Sequence, residues 1–315
     1  MIKRYKSGII LLIKAIIAIT IIFFIIRYIK INLKGLNSFE FRFNYYSLAI
    51  SFLILLIYII NQSFLWNYIT VQNKCNIDFK TSIKYRVYSE FGKYVPGKVF
   101  GYAMLLYIYS KANQSKTLVA FCMFFELLAS VLAATLIFLI SVFFTEVPVF
   151  EKYRIIAVIF LVLFFILIHP KILNYFSGVI IKIAKREPLK LTVSYIQMLK
   201  IIFLYVLNFM VFGVAFVIFI NSIYPVLFSN YLFITGTTAG AGLIGLFAIF
   251  VPAGLGVREG VMVFTLSMII PPGFAGIIAL TSRIWMTLAE VFLLGIIYVF
   301  SKIIWRGNDS SLQQQ

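Results

Sequence analysis

The chain has 315 residues, 63% of them hydrophobic and 12% charged, with a formal net charge of +18. Soluble domains carry about 25% charged residues, so this composition excludes a soluble globular protein and predicts an all-α polytopic membrane protein. We expect a single integral membrane domain over residues 1–315, because no segment is long and polar enough for a separate soluble domain. With two cysteines and one histidine, we expect neither a disulfide framework nor a metal site, and no cofactor.

Long apolar runs predict the membrane spans, since about 20 apolar residues cross roughly 30 Å of hydrocarbon. No small-residue cleavage site follows the N-terminal run, which favours an uncleaved first span over a signal peptide. The interval 67–98 is basic and aromatic and is interpreted as a loop on the membrane surface. The candidate spans are residues 9–27, 46–66, 117–144, 154–169, 199–221, 231–251, 257–272 and 275–301.

The basic residues predict the orientation. Most of the 28 lysines and arginines fall in segments that are cytoplasmic if the N-terminus is inside. We therefore expect both termini in the cytoplasm, with residues 302–315 as a short tail, and the protein in the plasma or inner membrane. A basic inner face attracts anionic lipid headgroups, and no nucleic-acid partner is expected because the basic residues are spread over the loops of a membrane protein.

Two segments do not have the pattern of plain spans. In residues 89–110, glycines and a proline interrupt the sequence, and the apolar part after Lys98 is too short to cross a bilayer. In residues 231–272, seven of the 18 glycines fall between Gly236 and Gly260. A helix with this composition is either packed very closely or interrupted.

Each broken segment contains a proline followed by glycines, YVPGKVFG in the first half (residues 6–116) and FVPAGLGV in the second. If residues 231–272 form two full spans, the protein has about eight transmembrane segments. If they form a hairpin that dips from outside, it has six spans plus two re-entrant elements, and the breaks enter from opposite sides as inverted repeats would. Such paired breaks point to a transport site at a repeat interface, and ordinary Pro-Gly loops are the alternative.

Apart from Lys14, which lies near the inner end of its span, three charged residues lie in the interior of predicted spans, away from the span ends. Glu126 is about nine residues into the span 117–144, and Arg283 and Glu290 lie seven residues apart in the last span. That spacing places both on one side of a helix, about 10 Å apart along its axis. Because a charge at mid-bilayer costs about 2.5–3.5 kcal/mol, we predict that Arg283 and Glu290 share one cavity, with Glu126 as a third member. The alternative is a structural ion-pair lock between helices.

The first break suggests a headgroup gate at the inner leaflet. Lys93 and Lys98 flank the Pro96-Gly97 turn, and Glu90 precedes Lys93 by three residues. We predict that the two lysines bind lipid phosphate. General attraction to anionic lipid, worth about 1 kcal/mol per basic residue, is the alternative.

The second break suggests a phosphate site inside the membrane domain. Pro252 cannot donate a helical hydrogen bond, and Gly254 and Gly256 let the backbone turn. A helix that restarts there offers free N–H groups to an anion, and Arg258 adds a charged fork suited to phosphate. Glu259 is either a counter-charge to Arg258 or a reader of a cationic or hydroxylated headgroup. A plain cytoplasmic turn is the alternative.

These motifs resemble a known family. The stretch FGKYVPGKVFG followed by VPAGLGVREG, with a Glu in a span between and an Arg in the last span, is similar to the membrane region of lysylphosphatidylglycerol synthases, which also occurs alone in flippase-like membrane proteins. The resemblance covers nearly the whole chain. Two positions depart from the family: Ala253 replaces a usual second glycine, and Leu127 replaces an Arg that often follows the Glu, which leaves Glu126 without that adjacent partner.

The resemblance implies a translocase that moves a phospholipid or a polyprenyl-linked sugar between leaflets in envelope lipid or polysaccharide assembly. It does not imply synthesis, because aminoacyl transfer in that family belongs to a separate soluble domain, which we do not expect in a chain that ends at Gln315. The expected partners are membrane lipids, with a homo-oligomer or glycan-assembly enzymes in addition. The competing classes are a membrane glycosyltransferase, disfavoured by the lack of an Asp-x-Asp pair and a Gly-rich phosphate loop, and a non-transporting partner of a glycan-assembly complex.

Overall fold

The computed structural model describes residues 43–75, 77–90, 100–167, 169, 194–248 and 256–304. This part of the chain is helical and contains no strand, which confirms the predicted all-α architecture. The predicted first span, 9–27, and most of the tail 302–315 lie outside it. The helices are α1 Tyr45–Gln72, α2 Phe79–Glu90, α3 Phe100–Lys111, α4 Lys116–Phe144, α5 Pro148–Glu151, α6 Arg154–Leu167, α7 Tyr195–Asn221, α8 Tyr231–Phe247, α9 Val257–Leu266 and α10 Pro272–Ile304.

Four helices in the described part are long and apolar enough to cross a membrane: α1, α4, α7 and α10. Each has at least 27 residues, which corresponds to about 40 Å of helix. Helix α7 packs against both α1 and α4, and α10 packs against α1. These four helices confirm four of the predicted spans and form the frame around the remaining elements.

Helix α6 carries the apolar exterior expected of a lipid-facing element. Ala157 and Phe164, seven residues apart, are buried towards α4, while most of its other side chains are exposed aliphatic and aromatic groups. An exposed apolar surface of this kind is stable against lipid acyl chains rather than water. The protein is therefore embedded in the membrane.

The interpretation of residues 67–98 as a loop is wrong for residues 67–72 and 79–90, which are helical, and residues 91–98 lie outside the described part. Helix α1 continues to Gln72, and residues 79–90 form helix α2, in which Ser82, Val87 and Ser89 are buried. The hydropathy of this segment is low because basic and polar residues share α2 with the buried ones. Composition averages over both faces of the helix, so it suggested a solvated loop and did not reveal the buried face.

The predicted span 257–272 is also wrong. Helix α9 ends at Leu266 after 10 residues, about 15 Å of helix and half of the roughly 30 Å hydrocarbon layer. Helices α2 and α3 have 12 residues each and are also too short to cross. We call α2 and α3 the first helix pair, and α8 and α9 the second helix pair. These lengths favour spans combined with two re-entrant elements, and the inverted-repeat relation stays a prediction.

The glycines of α8 allow it to pack very closely against the frame. A Cβ added at Gly236 would overlap the side chain of Ser141 on α4, and one at Gly240 would lie 2.8 Å from the ring of Phe138. At Gly242, in contrast, an added Cβ would meet nothing within 4 Å. Helix α8 is therefore packed closely along one side and faces open space at Gly242.

A chain of hydrogen bonds attaches the first helix pair to α1. Trp66 Nε1 on α1 donates to the Tyr109 hydroxyl on α3 at 2.7 Å, and the same hydroxyl lies 3.0 Å from Ser82 Oγ on α2. All three side chains are buried. Because buried polar groups need partners, this chain sets the position of α2 and α3 beside the frame.

Candidate functional site

Two cavities lie between the helix pairs, each with a volume of about 410 Å³. Ligand pockets in proteins typically measure about 300–1,000 Å³, so each can hold a small polar group. Cavity I is lined by α1, α2, α8 and α10. Cavity II is lined by the same helices together with α3, α7 and α9, so both helix pairs contribute to it.

The two cavities share a wall. Its residues come from α1, α2, α8 and α10, and they combine charged, aromatic and small side chains. The shared residues are Tyr58, Arg86, Glu90, Gly242, Leu246 and Met286. The two cavities are therefore adjacent, with this set of side chains between them.

The charges of the two cavities differ. Among the residues that line cavity I, Glu90 and Glu290 are carboxylates and Arg86 is the cation. Cavity II has Glu90 but not Glu290, and it adds Arg258 to Arg86. Cavity I therefore favours a cationic or hydroxylated group, and cavity II favours an anion.

Arg86 lies at the centre of the first charge cluster. Its Nη1 is 2.7 Å from Glu90 Oε1 on the same helix, and its Nη2 is 2.9 Å from Glu126 Oε1 on α4. The guanidinium also lies 5.9 Å from the centroid of the Trp66 ring, within the range of a cation–π contact. These contacts fix Arg86 in the shared wall.

Glu126 obtains its cation from a distant part of the sequence. Leu127 beside it carries no charge, and Glu126 forms an ion pair with Arg86, 40 residues earlier in the chain. The Tyr205 hydroxyl on α7 donates to the same carboxylate oxygen at 3.4 Å. The prediction that Glu126 joins Arg283 and Glu290 is therefore corrected, because its ion-pair partner is on α2.

Glu259 holds the start of α9, the helix that follows the second break. Its Oε2 accepts the Gly256 N–H at 2.6 Å, and its Oε1 lies 2.7 Å from Arg283 Nη1 on α10. Gly256 has a φ of 83°, a conformation that side-chain-bearing residues rarely adopt. Glu259 thus caps the start of α9 and joins it to α10.

The prediction that Arg283 and Glu290 share one cavity is wrong for the two cavities described, because Arg283 lines neither of them. Arg283 forms an ion pair with Glu259, whereas Glu290 lines cavity I. Spacing along α10 indicated a common side of that helix, but a third residue from α9 reaches Arg283. For Arg283 the structural lock between helices is therefore the better interpretation.

Arg258 is the cation that faces cavity II without a carboxylate in ion-pair contact among the described residues. Its Nη2 lies 3.1 Å from Met286 Sδ, and a thioether sulfur is only a weak acceptor. Of the two roles predicted for Glu259, the role of counter-charge to Arg258 is not observed, because the Glu259 carboxylate pairs with Arg283. The Arg258 guanidinium therefore faces cavity II, where its N–H groups can donate to a stronger acceptor such as an anion.

The remaining predicted site residues lie outside the described part: Lys93, Pro96, Gly97, Lys98, Pro252 and Gly254. The gate formed by the lysines and the anion site at the second break therefore stay predictions. Sequence reasoning missed Arg86, Tyr58, Tyr102, Gly242 and Met286, all of which line cavity II. One signal was present, because Arg86 precedes Glu90 by four residues, the spacing of a helical ion pair.

Fold and site together define a multi-pass α-helical membrane protein in which two helix pairs enclose charged cavities. The family described as lysylphosphatidylglycerol synthase TM region matches residues 11–295. The chain belongs to this family, which confirms the resemblance seen in its motifs and relates it to lipid and envelope metabolism. Comparison with curated proteins finds no match.

Proposed function

We propose that the protein is a lipid translocase, with a phospholipid or a polyprenyl-linked sugar as its substrate. The observation that carries this proposal is the wall shared by cavities I and II, which contains Arg86, Glu90 and Gly242. A headgroup passes from one cavity to the other across this wall. Its hydrocarbon chains stay in the surrounding bilayer.

The charged residues replace the water that a headgroup loses. A polar group moved into hydrocarbon without hydrogen bonds costs several kcal/mol. In cavity II, Arg258 offers a guanidinium group that binds phosphate through paired N–H donors, and the Arg86 guanidinium lines the same cavity. In cavity I, Glu90 and Glu290 accept hydrogen bonds from hydroxyl or ammonium groups. The cavities thus suit the two ends of a phosphate-containing headgroup.

The setting of this function follows from the charge pattern of the chain. We place the protein in the plasma or inner membrane with both termini in the cytoplasm, because the lysines and arginines concentrate in the segments assigned to that side. Its partners are membrane lipids. Glycan-assembly enzymes and a second copy of the chain are further candidate partners within the same proposal.

The test is a reconstitution into vesicles of phosphatidylethanolamine and phosphatidylglycerol that contain labelled lipids of each class in turn. A translocase moves the label to the other leaflet and leaves it chemically unchanged. A labelled product of higher mass would instead identify a glycosyltransferase. Neither movement nor product with any class would identify a non-transporting partner of an assembly complex.

A matched pair of variants tests whether lipid movement depends on the shared wall. Gly242→Trp places an indole, which buries about 150–250 Å², where an added Cβ meets open space and both cavities meet. Gly295→Trp places the same group on the exposed side of α10, where an added Cβ also meets nothing within 4 Å. We expect Gly242→Trp to abolish movement and Gly295→Trp to retain it.

A further inference from the structure

Arg86 joins two carboxylates that belong to different helices. Glu90 lies one turn further along α2, with its Oε1 2.7 Å from Arg86 Nη1. Glu126 lies on α4, with its Oε1 2.9 Å from Arg86 Nη2. The first pair moves with α2 as one body because both residues are on that helix. The second pair attaches α2 to α4.

Glu126 is buried, with 7% of its surface exposed. Charged and titratable groups from several helices surround it, and Arg86 supplies the positive charge in this group. The members are Arg86 and Glu90 from α2, Tyr102 from α3, Cys122 from α4 itself and Tyr205 from α7. Tyr58 of α1 lies close enough to Arg86 and Glu90 to experience their charges. Two carboxylates share one guanidinium here, and the buried one, Glu126, is the group whose charged form burial disfavours, so the site is able to bind a proton.

We propose that Glu126 is a proton-binding site whose protonation releases α2 from α4, and that this step couples proton movement to the passage of lipid. The coupling to lipid rests on the translocase function proposed above. The proton switch itself rests on the geometry around Arg86.

The chemical step is the addition of one proton from water to the Glu126 carboxylate. The donor is a hydronium ion: one of its O–H bonds breaks and leaves water, an O–H bond forms on Glu126, and the resulting carboxylic acid is neutral. Its attraction to Arg86 then falls from that of an ion pair to that of a hydrogen bond with one charged partner. Arg86 keeps Glu90 beside it, so the guanidinium is not left without a counter-charge when α2 separates from α4.

Movement of α2 acts directly on the route between the cavities. Arg86 and Glu90 belong to the shared wall, and Ser89 on the same helix lines cavity II. Buried charges in membrane proteins commonly mark proton relays of pumps and transporters. Protonation of one carboxyl on α4 therefore changes the charge and the position of the wall at the same time.

The test measures the distance between α2 and α4 as the pH changes, without any lipid substrate. Spin labels are attached at Lys80→Cys on α2 and Lys116→Cys on α4, two exposed positions, after the buried Cys75 and Cys122 have been replaced by Ser. The full-length protein is placed in nanodiscs of phosphatidylethanolamine and phosphatidylglycerol. Pulsed electron paramagnetic resonance then gives the distance distribution at each pH.

With Glu at position 126, we expect two populations of the α2–α4 distance, whose proportions change with pH. Glu126→Gln should hold the low-pH population at every pH, and Glu290→Gln should still titrate. A distribution independent of pH, or a Glu126→Gln protein that still titrates, would overturn the proposal.

A second variant keeps the test decisive if Glu126→Gln does not fold. Tyr205→Phe removes a donor to the ionised carboxylate and leaves the charges in place, so the titration midpoint should move to higher pH. An unchanged midpoint would contradict the assignment to Glu126. Lipid movement is measured separately in vesicles: a titrating protein that moves no lipid overturns the translocase, and a translocase that does not titrate overturns the switch.

Discussion

Arg283 on α10 donates to Glu259 on α9 across 2.7 Å, and this carboxylate also accepts the Gly256 N–H at 2.6 Å. Glu259 is 3% exposed, so both contacts are shielded from water. One side chain therefore fixes the turn that begins α9 and its attachment to a membrane-spanning helix.

The first prediction is that this pair stabilises the fold. Arg283→Gln leaves Glu259 as a buried charge without its cation, which typically costs about 3–5 kcal/mol. We expect a large fall in the melting temperature of the purified protein in detergent. The double variant Arg283→Gln/Glu259→Gln should lose less than the sum of the single variants, since it removes both charges. Strictly additive losses would show that the two residues act independently.

The second prediction concerns Arg258, whose described hydrogen-bond partner is the weak acceptor Met286 Sδ. If its guanidinium binds the headgroup, Arg258→Gln removes a charged hydrogen bond worth about 1.5–3 kcal/mol. Transport at low lipid concentration should then fall about 10- to 100-fold, with little change in melting temperature. Lys116→Gln, at an exposed position, is the control. Equal transport by the two variants would exclude Arg258 from the headgroup site.

The third prediction concerns the attachment of the first helix pair. Tyr109→Phe removes the hydroxyl that accepts from Trp66 and bonds to Ser82. A buried donor left without a partner costs about 1–3 kcal/mol, so thermal stability should fall measurably. Tyr107→Phe on the same helix, where the side chain is 59% exposed, should change stability little. Similar effects of both changes would argue against the hydrogen-bond chain as the attachment.

The fourth prediction separates the two kinds of glycine in the chain. In Gly236→Ala the new Cβ overlaps Ser141 on α4, and overpacking of this kind costs about 1–3 kcal/mol. In Gly295→Ala the Cβ meets open space, and the gain in helix propensity adds up to about 1 kcal/mol. Thermal unfolding of the two variants should therefore shift in opposite directions. A stabilised Gly236→Ala would contradict the close packing of α8 on α4.

Several features of the fold followed from sequence pattern because each depends on a single segment. Apolar length located the four frame helices. Gly256 was expected at a turn and has the positive φ that favours glycine. The short apolar part after Lys98 was expected to be too short to cross, and α3 has 12 residues.

The partners of the charges did not follow from sequence, because they are set by packing between helices. Arg283 and Glu290 share a side of α10 by spacing, yet Glu259 of another helix pairs with Arg283. Likewise, Glu126 pairs with Arg86 across 40 residues. The low hydropathy of α2 concealed its buried face, so Arg86 was not identified as a site residue.

The central claim is that lipid passes between the two cavities. The most direct test is to block this passage reversibly at the shared wall. Gly242→Cys is introduced after Cys75 and Cys122 are replaced by Ser. Both native thiols are buried, and burial raises the pKa of the Cys75 thiol and so lowers its reactivity, but their replacement leaves the thiol of Gly242→Cys as the one reactive thiol intended. A bulky methanethiosulfonate reagent then adds to the new thiol by a disulfide bond, and a reductant removes it. Lipid movement is measured in the same vesicles before, during and after modification.

We predict that modification of Gly242→Cys stops the movement of labelled lipid and that reduction restores it, while Gly295→Cys carries the same adduct without effect. Restoration in the same sample excludes misfolding as the cause of the block. Movement that continues at the unmodified rate while Gly242→Cys is fully modified would contradict a lipid route across the shared wall.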